Sequence, residues 1–263
     1  MTGQPYTTGL CKGQGMIPET VSLLKAWEPG MDSMELNRKV VTEGLISKGT
    51  ASRVKDIVTR VFGFRYLNDG DPPARHLKFL VEAGMPVEKL GQILLIHTAR
   101  AHRELHDFIT EVYWPRYAAG ATSIRRAESG EFFRNAYLDG RLPNEWTDKS
   151  REKISRYLLT ALADFGLLDE MKEGRRNILP FRPHRTTSLY LAHELHFSGL
   201  SDRAVRDHED WRLFGLEPGD VAGELIRVSG GWFVLQDSGE IFQISWRMKT
   251  MEEFIDELAQ REL

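Results

Sequence analysis

The sequence predicts a mainly α-helical protein, in which an N-terminal helical bundle is followed by winged-helix-like units with small β-hairpins. Apolar residues recur at helical spacing through the first 140 residues. Two later stretches combine helices with short extended segments around a glycine-bearing turn, which is typical of a hairpin. We therefore expect three regions: a bundle at residues 1–140, a winged-helix-like helix and hairpin packed on the bundle at 141–183, and an acidic helical unit with a hairpin at 184–263.

The bundle is predicted from helix start signals and from apolar periodicity. Asp32, with Glu35 three residues later, has the pattern of an N-cap for the second helix. Prolines open two later helices, at Pro72-Pro73 and at Pro86, and the second of these is expected to reach Tyr113 without interruption. The helices of the bundle are expected to begin near residues 18, 32, 50, 72, 86 and 128.

Residues 145–185 are the stretch around which we interpret the chain. Their helix has one apolar face, formed by Ile154, Tyr157, Leu158, Ala161, Leu162 and Phe165. Gly166 is expected to end the helix, and two extended segments should follow around the Glu173-Gly174 turn, with two arginines at its exposed tip. The preceding loop, residues 139–146, is longer than the tight turn of a helix-turn-helix motif, which favours a winged helix.

Basic residues follow the helical period on a second face of this helix. A basic helix followed by a basic hairpin is how a winged helix contacts DNA, and side chains near the helix start are placed to reach base edges. The alternative is a solvated core helix with a charged turn, which the charges by themselves do not distinguish. The predicted DNA contacts in this stretch are Lys149, Ser150, Arg151, Lys153, Arg156, Arg175 and Arg176.

A second basic segment runs from Lys48 to Arg65, where five basic residues are opposed by Asp56 alone. It coincides with the helix that is predicted from residue 50. Four to six phosphate contacts across the two segments would give a log–log dependence of affinity on salt with a slope of about −4 to −5. The predicted DNA contacts in this second segment are Lys48, Arg53, Lys55 and Arg60.

The C-terminal residues carry an excess of acidic charge. Residues 200–263 contain 7 basic and 14 acidic residues, whereas residues 1–199 contain 28 basic and 24 acidic ones. Helices are expected near 187–197 and 202–214, after Pro218 and from Thr250, with a hairpin formed by 232–235 and 241–246 around Asp237-Ser238-Gly239. Because this winged-helix outline is acidic, we interpret it as a docking unit for another protein, with Trp211, Trp232 and Trp246 exposed.

Composition and targeting signals indicate a cytoplasmic protein. The 263-residue chain is long enough for two domains, and its 41% hydrophobic and 28% charged residues are ordinary for a soluble globular protein. Its one cysteine, Cys11, cannot form an internal disulfide, so a reducing compartment is expected. The N-terminus lacks the apolar region of a signal peptide, and no apolar run approaches the ~20 residues of a membrane span. We therefore expect no membrane partner.

No residue pattern predicts an enzyme or a metal site. His102 and His106 have the i, i+4 spacing of zinc ligands, but Arg103 occupies the position that the general-base glutamate has in metalloproteases. His193 and His196, at i, i+3, also fail that pattern. The glycines at residues 9–15 follow no predicted strand and precede no Gly-Lys-Ser/Thr sequence, so a phosphate-binding loop is not expected. We predict no catalytic residue, no metal and no cofactor.

Several short segments together resemble one known family. In order along the chain they are Tyr6-Thr-Thr-Gly9-Leu10, Glu19-Thr20, Leu23-Leu24, Trp27, Gly44-Leu45-Ile46, Thr50-Ala-Ser-Arg53, Lys149-Ser150-Arg151-Glu152-Lys153 and Phe165-Gly166-Leu167-Leu168. Their order and spacing resemble the BrxA family of the bacterial BREX phage-defence systems, over roughly residues 5–182. Residues 183–263 look like an extension that only some members carry.

The resemblance implies a non-enzymatic, mainly helical DNA-binding component of a multi-gene defence locus. It also implies a body similar to antitermination-factor bundles with a winged-helix-like portion, while other components carry out the chemistry. We therefore expect an accessory protein that binds double-stranded DNA and other proteins of the defence system. The alternatives that the residues leave open are a protein-interaction adaptor and an RNA-binding helical bundle protein. No oligomeric state follows from the sequence.

Overall fold

The computed structural model describes residues 5–46, 49–67, 72–172, 174–238 and 241–263. Its secondary structure is mainly helical with two antiparallel pairs of short strands, which confirms the predicted fold class. The chain divides into two units. Unit 1 comprises Met1–Arg75 and Leu94–Phe181, and unit 2 comprises His76–Ile93 and Arg182–Leu263.

The described residues form fourteen α-helices, four short strands and four stretches of 3-10 or π-helical type. The α-helices are α1 (Ile17–Ala26), α2 (Ser33–Glu43), α3 (Ala51–Lys55), α4 (Phe64–Tyr66), α5 (Pro72–Glu82), α6 (Val87–Ala101), α7 (Arg103–Phe108), α8 (Trp114–Ala118), α9 (Arg126–Leu138), α10 (Asp148–Asp164), α11 (Arg185–Phe197), α12 (Asp202–Arg206), α13 (Pro218–Val228) and α14 (Met251–Glu262). The strands are β1 (Ser123–Arg125), β2 (Arg175–Asn177), β3 (Phe233–Asp237) and β4 (Phe242–Trp246). Turns of 3-10 type occur at Gly9–Lys12 and Glu209–Phe214, and π-helical stretches at Asp56–Gly63 and Ile109–Tyr113.

Two helix starts of unit 1 follow the predicted capping pattern. The Asp32 side chain accepts from the backbone N–H groups of Met34 and Glu35 at 2.7 and 2.8 Å, and the Glu35 carboxylate accepts from Asp32 N at 3.1 Å. The Thr50 hydroxyl accepts from Arg53 N at 3.3 Å, so the helix predicted from residue 50 begins there. This helix continues from α3 through the Asp56–Gly63 stretch into α4.

The predicted uninterrupted helix from Pro86 to Tyr113 is wrong. The helix breaks at His102, whose φ of −131° and ψ of 87° lie outside the helical region. The His102 side chain is buried, with Nε2 3.5 Å from the Arg65 guanidinium and Nδ1 3.5 Å from the Glu104 carboxylate. The spacing of apolar residues carries no information about such a buried polar contact. The helical spacing of residues 86–113 therefore did not reveal the break.

A small sheet follows the break and joins two parts of unit 1. The hairpin predicted around Glu173-Gly174 is present, with an antiparallel bridge between Leu168 and Ile178; Gly174 has a φ of +76°, and Glu173 lies outside the described residues. Its return strand β2 also pairs antiparallel with β1, which the sequence did not predict. The order along the chain is therefore β1, α9, α10, hairpin.

The N-terminal strap, residues 5–15, runs across unit 1 and is tied down at several points. The Tyr6 hydroxyl donates to the Asp107 carboxylate at 2.7 Å and accepts from Arg141 at 2.7 Å. Farther along, Gly13 O accepts from Arg65 Nη2 at 2.5 Å, and Gly15 N donates to the Asp164 carboxylate at 2.9 Å. These bonds give the strap a fixed course across unit 1.

Unit 2 is built around α11, which contacts α12, α13 and α14. The predicted hairpin is present as β3 paired antiparallel with β4; Gly239 lies outside the described residues. Residues 76–93 were assigned to the bundle from the sequence, but they pack in this unit. The amide of Gln92 ties this segment to the rest of unit 2, because it accepts from His184 N at 2.8 Å and donates to Arg182 O at 2.8 Å.

The structure corrects the prediction that the three tryptophans of the C-terminal region are exposed. Trp211 and Trp232 are each only 1% exposed. Trp246 is partly buried, with its indole N–H donating to Asp202 at 3.1 Å. Trp211 and Trp232 therefore belong to the core of unit 2, where the Trp232 ring contacts His193 and Phe254. The helix predicted at 202–214 divides into α12 and the Glu209–Phe214 turn.

His193 is a fully buried titratable group of this core, and it leads to a prediction for the pH dependence of folding. Its ring stacks on Phe254 at 3.8 Å, and Nδ1 lies 2.8 Å from Leu189 O. Burial lowers the pKa of His193 to about 3. Because an unfolded histidine titrates near 6.5, the unfolded chain takes up the proton first as the pH falls, and the free energy of unfolding should drop by about 2 kcal/mol between pH 7 and pH 5.

The measurement is urea unfolding followed by tryptophan fluorescence at both pH values. The variant His193→Gln removes the titrating group, so it should lose about this much of the pH-dependent change while the contribution of the carboxylates remains. An equal change in the wild type and in the variant would show that His193 does not titrate upon unfolding.

Candidate nucleic-acid interface

Helix α10 presents the first predicted basic segment. The Thr147 hydroxyl caps it by accepting from Ser150 N at 3.2 Å. The helix packs on α9 and on the Gly9–Lys12 turn through one apolar face, as the spacing predicts. The fully buried apolar residues of that face are Ile154, Leu158, Leu159, Ala161 and Leu162.

Three cations lie on the solvent side of α10. Lys149, Lys153 and Arg156 are exposed, and they form no ion pair with any residue that the structure describes. The Arg156 guanidinium lies 5.1 Å from the centre of the Tyr157 ring, which holds it near the helix without neutralising it. Their charge is therefore available to an anionic ligand.

Ser150 and Arg151, predicted as contacts at the start of the same helix, are engaged locally. The Ser150 hydroxyl accepts from the Thr147 hydroxyl at 3.0 Å. The Arg151 guanidinium pairs with Asp148 and with Glu145, the latter at 3.3 Å. A base or phosphate would have to compete with these bonds, so the helix start offers fewer free donors than the sequence suggests.

The two arginines of the hairpin point in different directions. Arg175 is exposed beside the turn, as expected. Arg176 was expected at the exposed tip, and the structure corrects this: it lies in β2, is 8% exposed, and donates to Asp169 O at 2.7 Å and to the Thr160 hydroxyl at 3.3 Å. Alternation along a strand places its side chain inward, where it ties the hairpin to α10.

Of the predicted contacts in the second basic segment, some are exposed in the described part of the chain and others are not. Lys48 lies outside the described residues. Lys55 is exposed, whereas the Arg53 guanidinium donates to the backbone oxygen of Lys12. Arg60 is exposed and pairs with Asp56 at 3.3 Å, a contact that contributes little to stability and leaves the cation accessible.

The Gly9–Lys12 turn of the strap joins the two segments. It contacts both α10 and the Asp56–Gly63 stretch. Burial raises the pKa of the Cys11 thiol in this turn, and the charges of Lys153 and Arg156 oppose that shift. On the other side, Lys12 Nζ lies 2.8 Å from the Asp56 carboxylate. The sequence did not identify Lys12; the signal was the neighbouring Gly13 and Gly15, which mark close approach of the backbone.

We call Lys12, Lys149, Lys153 and Arg156 the basic surface. Beneath the strap, the buried Arg65 holds it by donating to Gly13 O, and His102 and Glu104 surround this guanidinium. Burial lowers the pKa of His102, the Glu104 carboxylate opposes the shift, and Arg65 adds to it. The histidine is therefore kept neutral, and Arg65 carries the positive charge that anchors the strap.

The histidine pairs that the sequence singled out have local contacts instead of a common ligand. His106 Nδ1 lies 3.1 Å from the Asp107 carboxylate, and His196 stacks on Trp246 at 4.3 Å. Among the described residues, no group of three or more histidines, cysteines and acidic residues is placed to hold a metal ion. Nor does any helix in this part of the chain have the length and apolar character needed to cross a membrane.

Comparison with a solved structure bears on the fold. A crystal structure of an uncharacterized protein from Magnetospirillum magneticum superposes with a TM-score of 0.60 at 15% sequence identity. The match covers 80% of this chain and 98% of that chain. At this identity the likeness shows that the two chains share a fold and nothing about their activities.

Comparison of the sequence with known proteins identifies the family of the chain. The chain is 24% identical over 149 residues to the "BREX protein BrxA" of Bacillus cereus (strain H3081.97), which covers 56% of this chain and 70% of that protein. The model of the BrxA family matches residues 4–194. That range is more than half of the chain and confirms the resemblance seen in the sequence; the protein belongs to the BrxA family.

Proposed function

We propose that this protein is a DNA-binding accessory component of a BREX phage-defence system, acting in the cytoplasm and contacting duplex DNA through its basic surface and hairpin. It is not itself an enzyme in this proposal. The observation that carries it is the grouping of three exposed cations on α10, without ion pairs among the described residues, on a helix that contacts the turn carrying Lys12. Membership of the BrxA family, together with the name of the B. cereus relative, supports the assignment to phage defence.

The order of elements also supports DNA binding. In a winged helix, the helix before the hairpin enters the major groove and the hairpin contacts the backbone. Here α10 precedes the hairpin and follows β1 and α9, and the return strand β2 pairs with β1. We therefore assign α10 as the recognition helix of a winged helix and Arg175 as a backbone contact from its wing.

The geometry favours phosphate contacts over base contacts. The free donors of α10 end in long, flexible side chains, which suit phosphate oxygens. With Lys55, Arg60 and Arg175 added to the basic surface, four to six phosphates would be neutralised at once, which corresponds to a salt slope of about −4 to −5. Binding of that kind is strong at low salt and weakly dependent on sequence.

The adaptor alternative loses part of its basis, since two of the three tryptophans assigned to its docking face are buried. An RNA-binding role shares the electrostatics of the basic surface. Competition between duplex DNA and a structured RNA of equal length separates that role from the proposal: preference for the RNA by more than about tenfold would reassign the ligand.

The first prediction concerns α10. The triple variant Lys149→Ala, Lys153→Ala, Arg156→Ala should weaken binding to a 30-base-pair duplex at 50 mM salt and reduce the magnitude of the salt slope by about 3, because three counterion-releasing contacts are lost. Fluorescence anisotropy over a series of salt concentrations measures both quantities.

The matched control removes the same charge from unit 2, as Arg212→Ala, Arg247→Ala, Lys249→Ala, all of which are exposed. Its affinity and slope should stay close to those of the wild type. Equal loss in both triple variants would show that net charge alone is measured, and an unchanged slope in the α10 variant would exclude α10 as the DNA surface.

The second prediction tests whether the strap belongs to the same interface. Lys12→Ala should reduce the salt slope by about 1 and weaken binding at low salt. The ion pair with Asp56 is partly exposed, so its loss should leave the fold intact, which circular dichroism and the unfolding midpoint check. If Lys12→Ala binds DNA with the affinity and slope of the wild type, α10 acts without the strap.

A further inference from the structure

A pocket of about 460 Å³ lies in unit 1, away from the residues of the basic surface. It is bounded by the Ile109–Tyr113 stretch, by α8 and by one face of α9. A volume of this size is typical of sites that hold a ligand or a side chain of a partner. The DNA proposal assigns it no role.

Carboxylates dominate the charge of this pocket. The Arg141 guanidinium donates to both Glu111 oxygens at 2.8 Å and to Asp139 at 3.0 Å, while Arg116 Nε lies 2.7 Å from Glu128. The two guanidinium groups of the lining are thus neutralised. The lining carboxylates are Glu111, Glu128, Glu131 and Asp139, which leaves a net charge of −2.

Glu131 carries much of the uncompensated charge. It is exposed at the rim, and within the described residues it forms no ion pair. Asn135 lies one helical turn farther along α9, also exposed at the rim. Together they add exposed hydrogen-bond acceptors to the lining, so a ligand longer than one side chain has further partners.

The floor of the pocket is apolar. Phe132 is buried there, stacked on Tyr6 at 5.7 Å, and Val112 and Pro115 are the other apolar residues of the lining. The Arg141 guanidinium already lies 5.5 Å from the centre of the Phe132 ring. An apolar floor beneath carboxylates suits a side chain with an alkyl stem and a cationic head, which describes lysine and arginine. Like charge disfavours DNA and other polyanions at the same place.

We propose that this pocket is a docking site for a lysine- or arginine-bearing segment of another protein. The charge of the pocket selects the cation, the apolar lining of Val112, Pro115 and Phe132 accommodates its stem, and Glu131 and Asn135 offer acceptors to the rest of the segment. The assignment does not depend on DNA binding by α10, since none of the residues of the basic surface lines the pocket.

The test uses the full chain and a fluorescein-labelled hexa-arginine peptide at ~50 mM salt. The wild type should bind the peptide, and Glu131→Lys should raise the dissociation constant about tenfold or more because it places a like charge at the rim. The matched control is Glu43→Lys, which makes the same charge change at an exposed site on α2 and should change the constant by less than about twofold.

Each of the other outcomes overturns the proposal. Equal weakening in both variants would mean that the peptide senses overall charge, and absence of wild-type binding would leave the pocket without this ligand. Free L-arginine that competes as well as the peptide would reassign the pocket to a small cation. Wild-type self-association that Glu131→Lys abolishes, measured by sedimentation equilibrium, would reassign it to a second copy of the chain. DNA affinity should be unchanged in Glu131→Lys, so failure here is distinct from failure of the DNA proposal.

Discussion

The close passage of the N-terminal strap over α10 and the Asp56–Gly63 stretch is the constraint on which the proposed interface depends. A Cβ at Gly13 would lie 2.8 Å from the Val61 side chain, and one at Gly15 would collide with the Asp164 side chain. Glycine at these positions lets the backbone approach closely enough for Arg65 to bond Gly13 O and for Asp164 to bond Gly15 N. A buried guanidinium is costly without such a partner, so its bond to the strap selects this course of the chain.

This course explains how two basic segments, which are about a hundred residues apart, are linked through the strap. Helix α10 and the Asp56–Gly63 stretch both contact the Gly9–Lys12 turn, and Lys12 pairs with Asp56 of that stretch. The two buried arginines hold neighbouring segments together: Arg65 bonds the strap, and Arg176 bonds the hairpin to α10. The buried arginines therefore stabilise the fold, whereas the exposed lysines face solvent, although both appear in the sequence only as basic residues.

Local patterns predicted much of the fold, because they are encoded within a few residues of one another. The capping pair Asp32 and Glu35, the apolar face of α10 and both hairpins are of this kind. What the sequence missed depends on distant partners. Strand β1 pairs with β2 some fifty residues later. With three residues, β1 is too short for an alternating pattern to reveal it in the sequence. The helix break at His102 accompanies a tertiary contact with Arg65. Arg176 faces inward because β2, which pairs with the distant β1, places it on the inner side of the strand. For the candidate site, the exposed cations of α10 were found, whereas Lys12 was not, because its role depends on where the strap lies.

Under both proposals, α9 separates two ligands of opposite charge. Glu128, Glu131, Phe132 and Asn135 recur at i, i+3, i+4 and i+7 and form its pocket face, whereas Ser129, Phe133 and Ala136 are buried on another face. Helix α10, with its cations, packs against this helix. A helix is about 10 Å across, close to the distance over which salt screens exposed charges at physiological ionic strength. Each face therefore acts mainly on its own ligand, and DNA bound at α10 would leave the pocket free. An accessory protein that holds DNA and a partner protein at the same time needs this separation, and a single helix with two faces provides it.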